Sequence, residues 1–350
     1  MFLQEYAKLI GCEVYTVDKI VNELKISLRE AVKQENELFA QKYAENKSVQ
    51  WFCDLNEGGK QLRGMLLLLT YYANTQNLEA TKRKAVPLAV IVEFLETSLL
   101  IQDDIIDMSC KRRDKATIHE KFQTESGMGR LDAGVAAHLL GMCGISYALS
   151  LIQSYDGAIQ EAFYEMLQDT IHGEALDMLA PQQDIEKGLS SDQREELISG
   201  IAIWKTAIYS FEGPMYLGYL LSGGTSRDWL QRIGRELGQT FQMQNDLKAL
   251  EEFRNKTGMT DISPYRLTAA NAVAFRLEEQ LKTLVRQRDK SDAVHARIWE
   301  QYPYDKVEKE LKSRITEQWE FISKLFNSAH NPFGNREFEL LKKYIEDLFE

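Results

Sequence analysis

The sequence predicts an all-α protein. Only 6 of the 350 residues are proline, and apolar residues recur mostly at spacings of three and four, which places them on one face of a helix. The alternation of β-branched and polar residues that would indicate strands is scarce. These observations predict helices joined by short connectors along nearly the whole chain.

Four segments show the helical spacing most clearly, and they are residues 17–28, 85–100, 162–179 and 338–349. Polar stretches rich in helix-ending residues predict connectors at residues 74–77, 124–129, 181–184, 222–225 and 331–335. No change of composition, long linker or fixed-period repeat divides the chain. We therefore predict one helical domain over residues 1–350, with the more charged residues 282–350 as a peripheral C-terminal part.

Composition and charge exclude several classes of protein. A content of 44% hydrophobic and 27% charged residues is typical of a globular protein with a large core. The net charge of -11 and the lack of a basic block argue against nucleic acid as a partner. An acidic protein that binds anionic phosphates would need metal ions and locally placed Arg and Lys residues to overcome its own field.

Three further features predict a soluble cytoplasmic protein without a membrane span. The four cysteines are Cys12, Cys53, Cys110 and Cys143. Their scattered positions, without a CxxC pair, favour a reduced protein over a disulfide framework. The first twenty residues lack the basic and apolar regions of a signal peptide. The best candidate for a span, residues 134–152, contains His138 and three glycines, which favours a buried core helix.

An acidic segment that follows an apolar run is the most informative feature for chemistry. Asp103 and Asp107 are four residues apart, hence on one helix face, and Asp104 lies beside them. Because residues 91–101 are mostly apolar, we expect a largely buried helix whose terminal carboxylates repel one another unless cations neutralise them. Mg²⁺ fits, since it binds one or two carboxylates together with phosphate oxygens of a substrate. The alternative is a solvated acidic helix end paired with nearby basic residues.

Basic residues near this segment and before it favour a phosphate ligand. Arg112 and Arg113 follow soon after Asp107 and offer forked donors that suit phosphate oxygens. A Gly-Gly-Lys-Gln-Leu-Arg stretch opens an apolar helix, and its Lys60 and Arg63 would add charge to the amides and dipole of the helix start. A plain loop is the alternative interpretation of this glycine-rich turn.

Five ordered motifs resemble the trans-isoprenyl diphosphate synthases, the polyprenyl synthetase family. They are GGKQLRG (58–64), ETSLLIQDDIIDMSCKRRDKATIHEKF (96–122), GEALDM (173–178), WKTA (204–207) and GQTFQMQNDL (238–247). The resemblance covers about residues 57–261, and the tail NPFGNREFELLKKYIEDLF is similar to the ending of that family. It implies an isoprenoid-synthase-type helical bundle around a central cavity, usually as a homodimer.

The resemblance also implies a metal site with Mg²⁺ as the cofactor. Asp103 and Asp107 would hold Mg²⁺ on the diphosphate of an allylic prenyl diphosphate, with Asp104 in support. The second aspartate motif of the family would place Asn245 and Asp246 as further metal ligands. These five residues are the metal site that the sequence predicts.

The implied substrate contacts are basic and polar side chains. The side chains that would bind the allylic diphosphate are Arg112, Lys205 and Thr206. The side chains that would bind isopentenyl diphosphate are Lys60, Arg63 and Arg113. Gln242 would lie near the reacting carbons. The implied reaction ionises the allylic diphosphate to a carbocation, which the double bond of isopentenyl diphosphate attacks before pyrophosphate takes up a proton. Metal ions would stabilise the leaving pyrophosphate, and a dry apolar cavity would shield the cation from water.

Several positions depart from the family pattern, mostly where isopentenyl diphosphate would bind. Asn245 and Ala249 replace carboxylates of the second motif, which should weaken a metal ion there. Glu96 replaces a histidine that contacts diphosphate, and its charge would repel an anion unless it is paired or protonated. The other altered positions are Gln61, Gly64, Gln102, Met142, Glu174, Met259, Tyr265 and Arg266.

Three functions remain compatible with this pattern. The first is a Mg²⁺-dependent prenyltransferase of polyprenyl or geranylgeranyl type that uses isopentenyl diphosphate. The second is a class I terpene cyclase, since Asn245-Asp246 resembles part of its NDxxSxxxE motif, although Ala249 and Phe253 fail the other ligand positions. The third is a regulatory subunit, which the joint presence of the acidic segment and its basic residues disfavours. In the family that the chain resembles, side chains one turn before the first aspartate motif set the floor of the cavity. The small Ser98, five residues before Asp103, therefore implies a product of at least farnesyl length.

Overall fold

A computed structural model describes residues 14–255, 266–286, 292–333 and 338–349, which form helices with one short hairpin. The helices are α1 (Val14–Lys42), α2 (Ser48–Asn56), α3 (Leu62–Thr75), α4 (Leu78–Ile106), α5 (Ile118–Thr124), α6 (Arg130–Ile152), α7 (Gly157–Lys187), α8 (Ser191–Ile201), α9 (Gly213–Leu221), α10 (Asp228–Arg254), α11 (Ala269–Leu277), α12 (Glu279–Arg286), α13 (Asp292–Gln301), α14 (Tyr304–Phe326) and α15 (Phe338–Phe349). The predicted all-α class is confirmed. Cys12, Met259 and Tyr265, which the predictions above include, lie outside the described residues.

Two π-helical segments widen the helices directly before a proline. Thr81–Ala85 lies within α4 just before Val86-Pro87, and Ala202–Glu212 joins α8 to α9 just before Gly213-Pro214. Proline lacks the N–H that an α-helix uses, and its ring clashes with the carbonyl four residues earlier. A wider turn accommodates both effects, so the helix continues instead of breaking.

The short hairpin follows the acidic end of α4. Strand β1 (Lys111–Arg112) pairs antiparallel with β2 (Lys115–Ala116), and the two turn residues Arg113 and Asp114 have φ angles of 52° and 62°. Two left-handed residues in succession are typical of the tight turns that match strand twist. No strand is predicted here from the sequence. The hairpin matters because it turns the chain back toward the end of α4.

The predicted connectors at residues 74–77, 124–129 and 222–225 separate helices as expected. The prediction of a connector at residues 181–184 is wrong, because α7 continues through Pro181 to Lys187. A buried ion pair holds this last turn. Arg194 donates to both carboxylate oxygens of Asp184 at 3.1 and 2.8 Å, which compensates for the hydrogen bond that proline cannot make.

The chain divides into two compact units by its internal contacts. The first contains the described residues of Met1–Phe163, Pro214–Ser226 and Phe333–Glu350, and the second contains those of Tyr164–Gly213 and Arg227–Pro332. The C-terminal helices are shared between them, since α15 packs on α3 in the first unit and α14 packs on α10 in the second.

An aromatic cluster forms part of the core of the first unit. Phe39, Phe52, Phe94 and Tyr147 come from α1, α2, α4 and α6, with ring centroids 4.8 to 5.6 Å apart. Tilted and edge-on aromatic pairs at this spacing stabilise a core beyond their burial alone. Both α4 and α6 are long and apolar enough to cross a membrane, but 72% of the apolar window of α4 and 44% of that of α6 are buried in the protein.

The second unit depends on a close approach between the segment Ala202–Glu212 and α10. A Cβ atom added at Gly238 would clash with Ala207, and one at Gly234 would lie 2.7 Å from backbone atoms of Glu212. Glycine at these positions therefore lets the two helices touch through their backbones. This contact positions the side chains that the segment and α10 supply to the candidate site.

We predict that Gly238→Ala destabilises the protein by about 1–3 kcal/mol, because the added methyl group overpacks this contact. Urea unfolding followed by circular dichroism measures the change. Gly200→Ala is the matched control, since a Cβ there meets no atom within 4 Å and alanine favours the helix by about 0.5–1 kcal/mol. Equal stabilities of Gly238→Ala and the wild type would contradict the contact.

Candidate active site

The acidic segment closes α4, and Arg112 of the hairpin binds it. Asp103 and Asp104 lie in the last turn of α4, and Asp107 follows directly after the helix. Arg112 Nη2 contacts Asp103 Oδ2 at 3.0 Å, while Arg112 Nε donates to Asp104 Oδ1 at 2.8 Å. Burial raises the pKa of Asp104 to about 6, although the Arg112 charge opposes this rise.

The three carboxylates differ in what they offer a metal ion. Asp104 is buried against Arg112, whereas Asp103 and Asp107 are partly exposed and one helical turn apart. The described residues contain no group of three or more His, Cys, Asp or Glu side chains arranged as a metal site. Two carboxylates suffice for Mg²⁺, because substrate phosphates and water complete its octahedron. The pair Asp103 and Asp107 therefore fits the ion, and Asp104 holds Arg112 in place.

The glycine-rich turn lies under the Arg113 side chain. Arg113 Nη1 donates to the Leu55 carbonyl at 3.3 Å, and a Cβ atom at Gly58 or Gly59 would collide with the guanidinium group. Gly59 also has a φ of 85°, a backbone conformation that residues other than glycine rarely adopt. The structure thus brings Arg113 to the turn that carries Lys60, and a shared subsite for these two residues stays a prediction.

Two carboxylates of α4 bind the first turn of α3. Glu96 Oε1 lies 2.6 Å from Arg63 Nη1, in a pair whose side chains are 12% and 13% exposed. Glu93, 3% exposed, accepts a hydrogen bond from the Gly64 backbone N–H at 2.7 Å. Burial and the neighbouring Glu96 charge raise the pKa of Glu93 well above its ordinary value. Sequence reasoning missed Glu93, and its spacing of three from Glu96 was the available signal.

Lys205 is held by two carboxylates of α7. Its Nζ donates to Glu174 Oε1 at 3.0 Å and to Asp177 Oδ2 at 2.8 Å. A Cβ atom at Gly173 would clash with the backbone of Lys205, so the absence of a side chain brings α7 close to this residue. Glu174, a departure from the family pattern, therefore adds a second negative charge beside a residue predicted to bind diphosphate.

A chain of hydrogen bonds runs through the second aspartate motif. Thr206 Oγ1 donates to Gln242 Oε1 at 3.1 Å, and Gln242 Nε2 donates to Asp246 Oδ1 at 3.3 Å. The backbone N–H of Ala270, in the first turn of α11, donates to Asp246 Oδ2 at 3.2 Å. Both oxygens of the buried Asp246 thus accept hydrogen bonds from the chain, which disfavours it as a metal ligand. Asn245 beside it is partly exposed.

Ser98, on which the chain-length prediction depends, is fully buried. Its hydroxyl donates to the Phe94 carbonyl at 2.8 Å, and Gly144 packs against Ser98 Oγ and the Phe52 ring. The neighbouring Leu99, one turn before Asp103, is only partly buried. The space beside Ser98 is therefore filled by the aromatic cluster of the first unit.

These features define an all-α protein whose carboxylate and arginine pairs suit a divalent cation and phosphate groups. The chain belongs to the polyprenyl synthetase family, whose model matches residues 49–302. It is 32% identical to bovine farnesyl pyrophosphate synthase over 219 residues, 59% of each chain. It is 28% identical to octaprenyl diphosphate synthase of Escherichia coli over 193 residues, 54% of this chain and 53% of the relative. The chain thus spans between half and six tenths of these curated relatives.

Two solved structures share the fold. Heptaprenyl diphosphate synthase from Staphylococcus aureus superposes with a TM-score of 0.73 at 19% identity, covering 95% of this chain and 98% of its own. Geranylgeranyl pyrophosphate synthase from Corynebacterium glutamicum, complexed with isoprenyl diphosphate and magnesium, has a TM-score of 0.72 at 20% identity, covering 95% and 99%. The isoprenyl diphosphate synthase fold implied by the sequence motifs is confirmed.

The raised pKa of Glu93 predicts a pH-dependent stability. Above its ordinary pKa of 4.5 the unfolded chain releases this proton while the folded protein keeps it, so ionisation makes folding less favourable as pH rises. Glu93→Gln removes this effect and keeps the acceptor for Gly64. Relative to the wild type, its free energy of unfolding should rise by at least about 1 kcal/mol between pH 5 and pH 8.

Urea unfolding at several pH values measures this difference. The control is Glu125→Gln, which replaces an exposed glutamate in the same unit and should follow the wild-type curve. Parallel curves for the wild type and Glu93→Gln would rule out a protonated Glu93.

Proposed function

We propose that the protein is a Mg²⁺-dependent prenyltransferase that ionises an allylic prenyl diphosphate and condenses it with isopentenyl diphosphate. The observation that carries this proposal is the end of α4, where partly exposed Asp103 and Asp107 lie one turn apart and Asp103 contacts Arg112 of the hairpin. Family membership and relatives named as farnesyl and octaprenyl diphosphate synthases support the same reaction class.

Several side chains of the candidate site have a definite task in the proposed reaction. Asp103 and Asp107 would hold Mg²⁺, which when bound stabilises the negative charge of the leaving diphosphate. Arg112 exchanges part of its contact with Asp103 for diphosphate oxygens. Lys205 and Thr206 are, in this proposal, a further diphosphate-binding pair. The allylic C–O bond breaks, and its electron pair leaves with the diphosphate.

The carbon–carbon bond then forms from the double bond of isopentenyl diphosphate, which Lys60, Arg63 and Arg113 bind. The resulting cation loses a proton to the released pyrophosphate. Gln242, which accepts a hydrogen bond from Thr206, is the side chain that we propose for the vicinity of the reacting carbons. Apolar side chains around the reacting carbons would exclude water, which would otherwise capture the cation as an alcohol.

The products are of polyprenyl or geranylgeranyl type in this proposal, which rests on the relatives and not on Ser98, since the space beside Ser98 is filled by the aromatic cluster. The relatives and fold neighbours include farnesyl, geranylgeranyl, heptaprenyl and octaprenyl synthases, so the family spans this range. A cyclase is the second candidate, because the ion pair between Arg63 and Glu96 opposes binding of isopentenyl diphosphate. We also propose a cytoplasmic location, since the described Cys53, Cys110 and Cys143 are free thiols.

The proposal predicts which products form from farnesyl and geranylgeranyl diphosphate with Mg²⁺. Longer diphosphates should appear only when isopentenyl diphosphate is added, and they can be identified by mass spectrometry after extraction. Hydrocarbons or alcohols formed without isopentenyl diphosphate would instead support the cyclase. No turnover of any prenyl diphosphate would favour a regulatory subunit.

Asp103→Asn should lower the turnover at least about a thousandfold, because it removes a carboxylate from the metal pair. Removing Mg²⁺ with a chelator should have the same effect and be reversed by adding the ion back. The control is Asp347→Asn, an exposed aspartate of α15, which should keep wild-type turnover. Full activity of Asp103→Asn would remove Asp103 from the metal site.

We propose that the protein is a homodimer that associates through α6. Leu131, Val135, Leu139 and Met142 are exposed and lie on one face of this helix at spacings of four and three. A row of large apolar side chains in water is typical of a protein interface.

Leu139→Glu should therefore weaken self-association at least about tenfold, because it places a charge in an apolar contact. Light scattering at increasing protein concentration measures the mass. The control, Leu38→Glu, replaces an exposed leucine of α1 outside this row and should keep the wild-type mass. A dimer that resists Leu139→Glu would show that α6 is not the interface.

A further inference from the structure

The first turn of α3 has two groups that could bind an anion, and both already hold carboxylates of the chain. The Gly64 backbone N–H, which points out of the helix start, donates to Glu93. The Arg63 guanidinium group contacts Glu96. A diphosphate at this helix start would need the same N–H and the same guanidinium group.

We propose that Glu96 determines the acceptor specificity of the site, because its carboxylate occupies Arg63 and an anionic acceptor binds only by displacing it. The inference rests on the proposed function, in which isopentenyl diphosphate binds at Lys60, Arg63 and Arg113. Glu96 acts through Arg63 and is a positioning residue. The ion pair makes isopentenyl diphosphate a weak acceptor for this protein.

The geometry makes this competition strong. At 2.6 Å and with both side chains mostly buried, the Arg63–Glu96 contact is a charge-assisted hydrogen bond shielded from water. Neither side chain gains much by moving into solvent, because each would give up a charged partner in a mostly buried position. The carboxylate therefore remains on Arg63 until another anion of similar geometry replaces it.

The charge balance points the same way. Glu93, Glu96 and Arg63 carry no net positive charge whether or not Glu93 is protonated, so the helix start does not attract an anion. Arg113 and Lys60 are both exposed to solvent, which screens their charges. Arg63 is the least exposed of the three residues predicted to bind isopentenyl diphosphate, so its pairing with Glu96 neutralises the cation that solvent screens least.

Glu96→Gln tests the proposal, because it keeps the shape of the side chain and removes the charge that holds Arg63. Calorimetric titration should show isopentenyl diphosphate binding at least about tenfold more tightly to Glu96→Gln than to the wild type. Equal dissociation constants would overturn the proposal. Thermal melting checks that the variant folds, and Glu96→Ser, which also removes the carboxylate from Arg63, is titrated alongside it.

Two matched variants separate this effect from a general loss of negative charge. Glu23→Gln breaks a 2.7 Å ion pair with Lys82 in the same unit and should leave the dissociation constant unchanged. Adding Arg63→Met to Glu96→Gln should return the affinity to the wild-type level. A gain that survives Arg63→Met would show that the freed arginine is not its source, which contradicts the proposal.

Steady-state kinetics distinguishes failure of this inference from failure of the proposed function. In Glu96→Gln the KM for isopentenyl diphosphate should fall about tenfold while the KM for the allylic diphosphate stays unchanged. Tighter binding without any turnover in either protein would overturn the proposed reaction but keep Glu96 as the residue that occupies Arg63. Turnover with unchanged binding and KM would keep the reaction and remove the role of Glu96.

Discussion

The contact of Arg112 with Asp103 and Asp104 is the interaction on which the candidate site depends. A buried carboxylate such as Asp104 is costly unless a cation lies beside it, and the hairpin brings Arg112 within 2.8 Å. The hairpin in turn requires the left-handed residues Arg113 and Asp114. The same reversal lays the Arg113 side chain over the glycine-rich turn. The hairpin thus holds Arg112 on the aspartates of α4 and at the same time places Arg113 beside the turn that carries Lys60.

Pairing of predicted phosphate-binding cations with carboxylates recurs in each unit. Arg112 contacts aspartates of α4, Arg63 contacts Glu96, and Lys205 contacts Glu174 and Asp177. In a protein with a net charge of -11, such pairing compensates buried cations while no substrate is bound. The affinity of each subsite then depends on how easily its carboxylate yields to a phosphate. Glu96 and Glu174 are carboxylates that the family pattern lacks. We therefore expect the subsites beside them to bind phosphate groups with an affinity different from that of other family members.

Much of the fold and part of the site could be predicted from the sequence. Helical spacing of apolar residues and the polar stretches around residues 76, 126 and 224 predicted helices and connectors correctly, because both signals are local. Pro181 misled the prediction, since an ion pair from the next helix holds the turn that proline weakens. The hairpin was missed because its two-residue strands are too short to show any periodicity.

The sequence by itself determined the helical class, the family and the identity of the acidic segment with its basic residues. Motif order and spacing carry this information, because they depend only on which residues follow one another. The tertiary structure alone decided which charge faces which. Glu93 and Glu96 contact residues of a helix that lie 29 and 33 positions earlier in the sequence, and Asp246 accepts a hydrogen bond from the start of α11. Whether a carboxylate binds a metal, an arginine or a backbone amide depends on neighbours that packing supplies, and no local pattern encodes them.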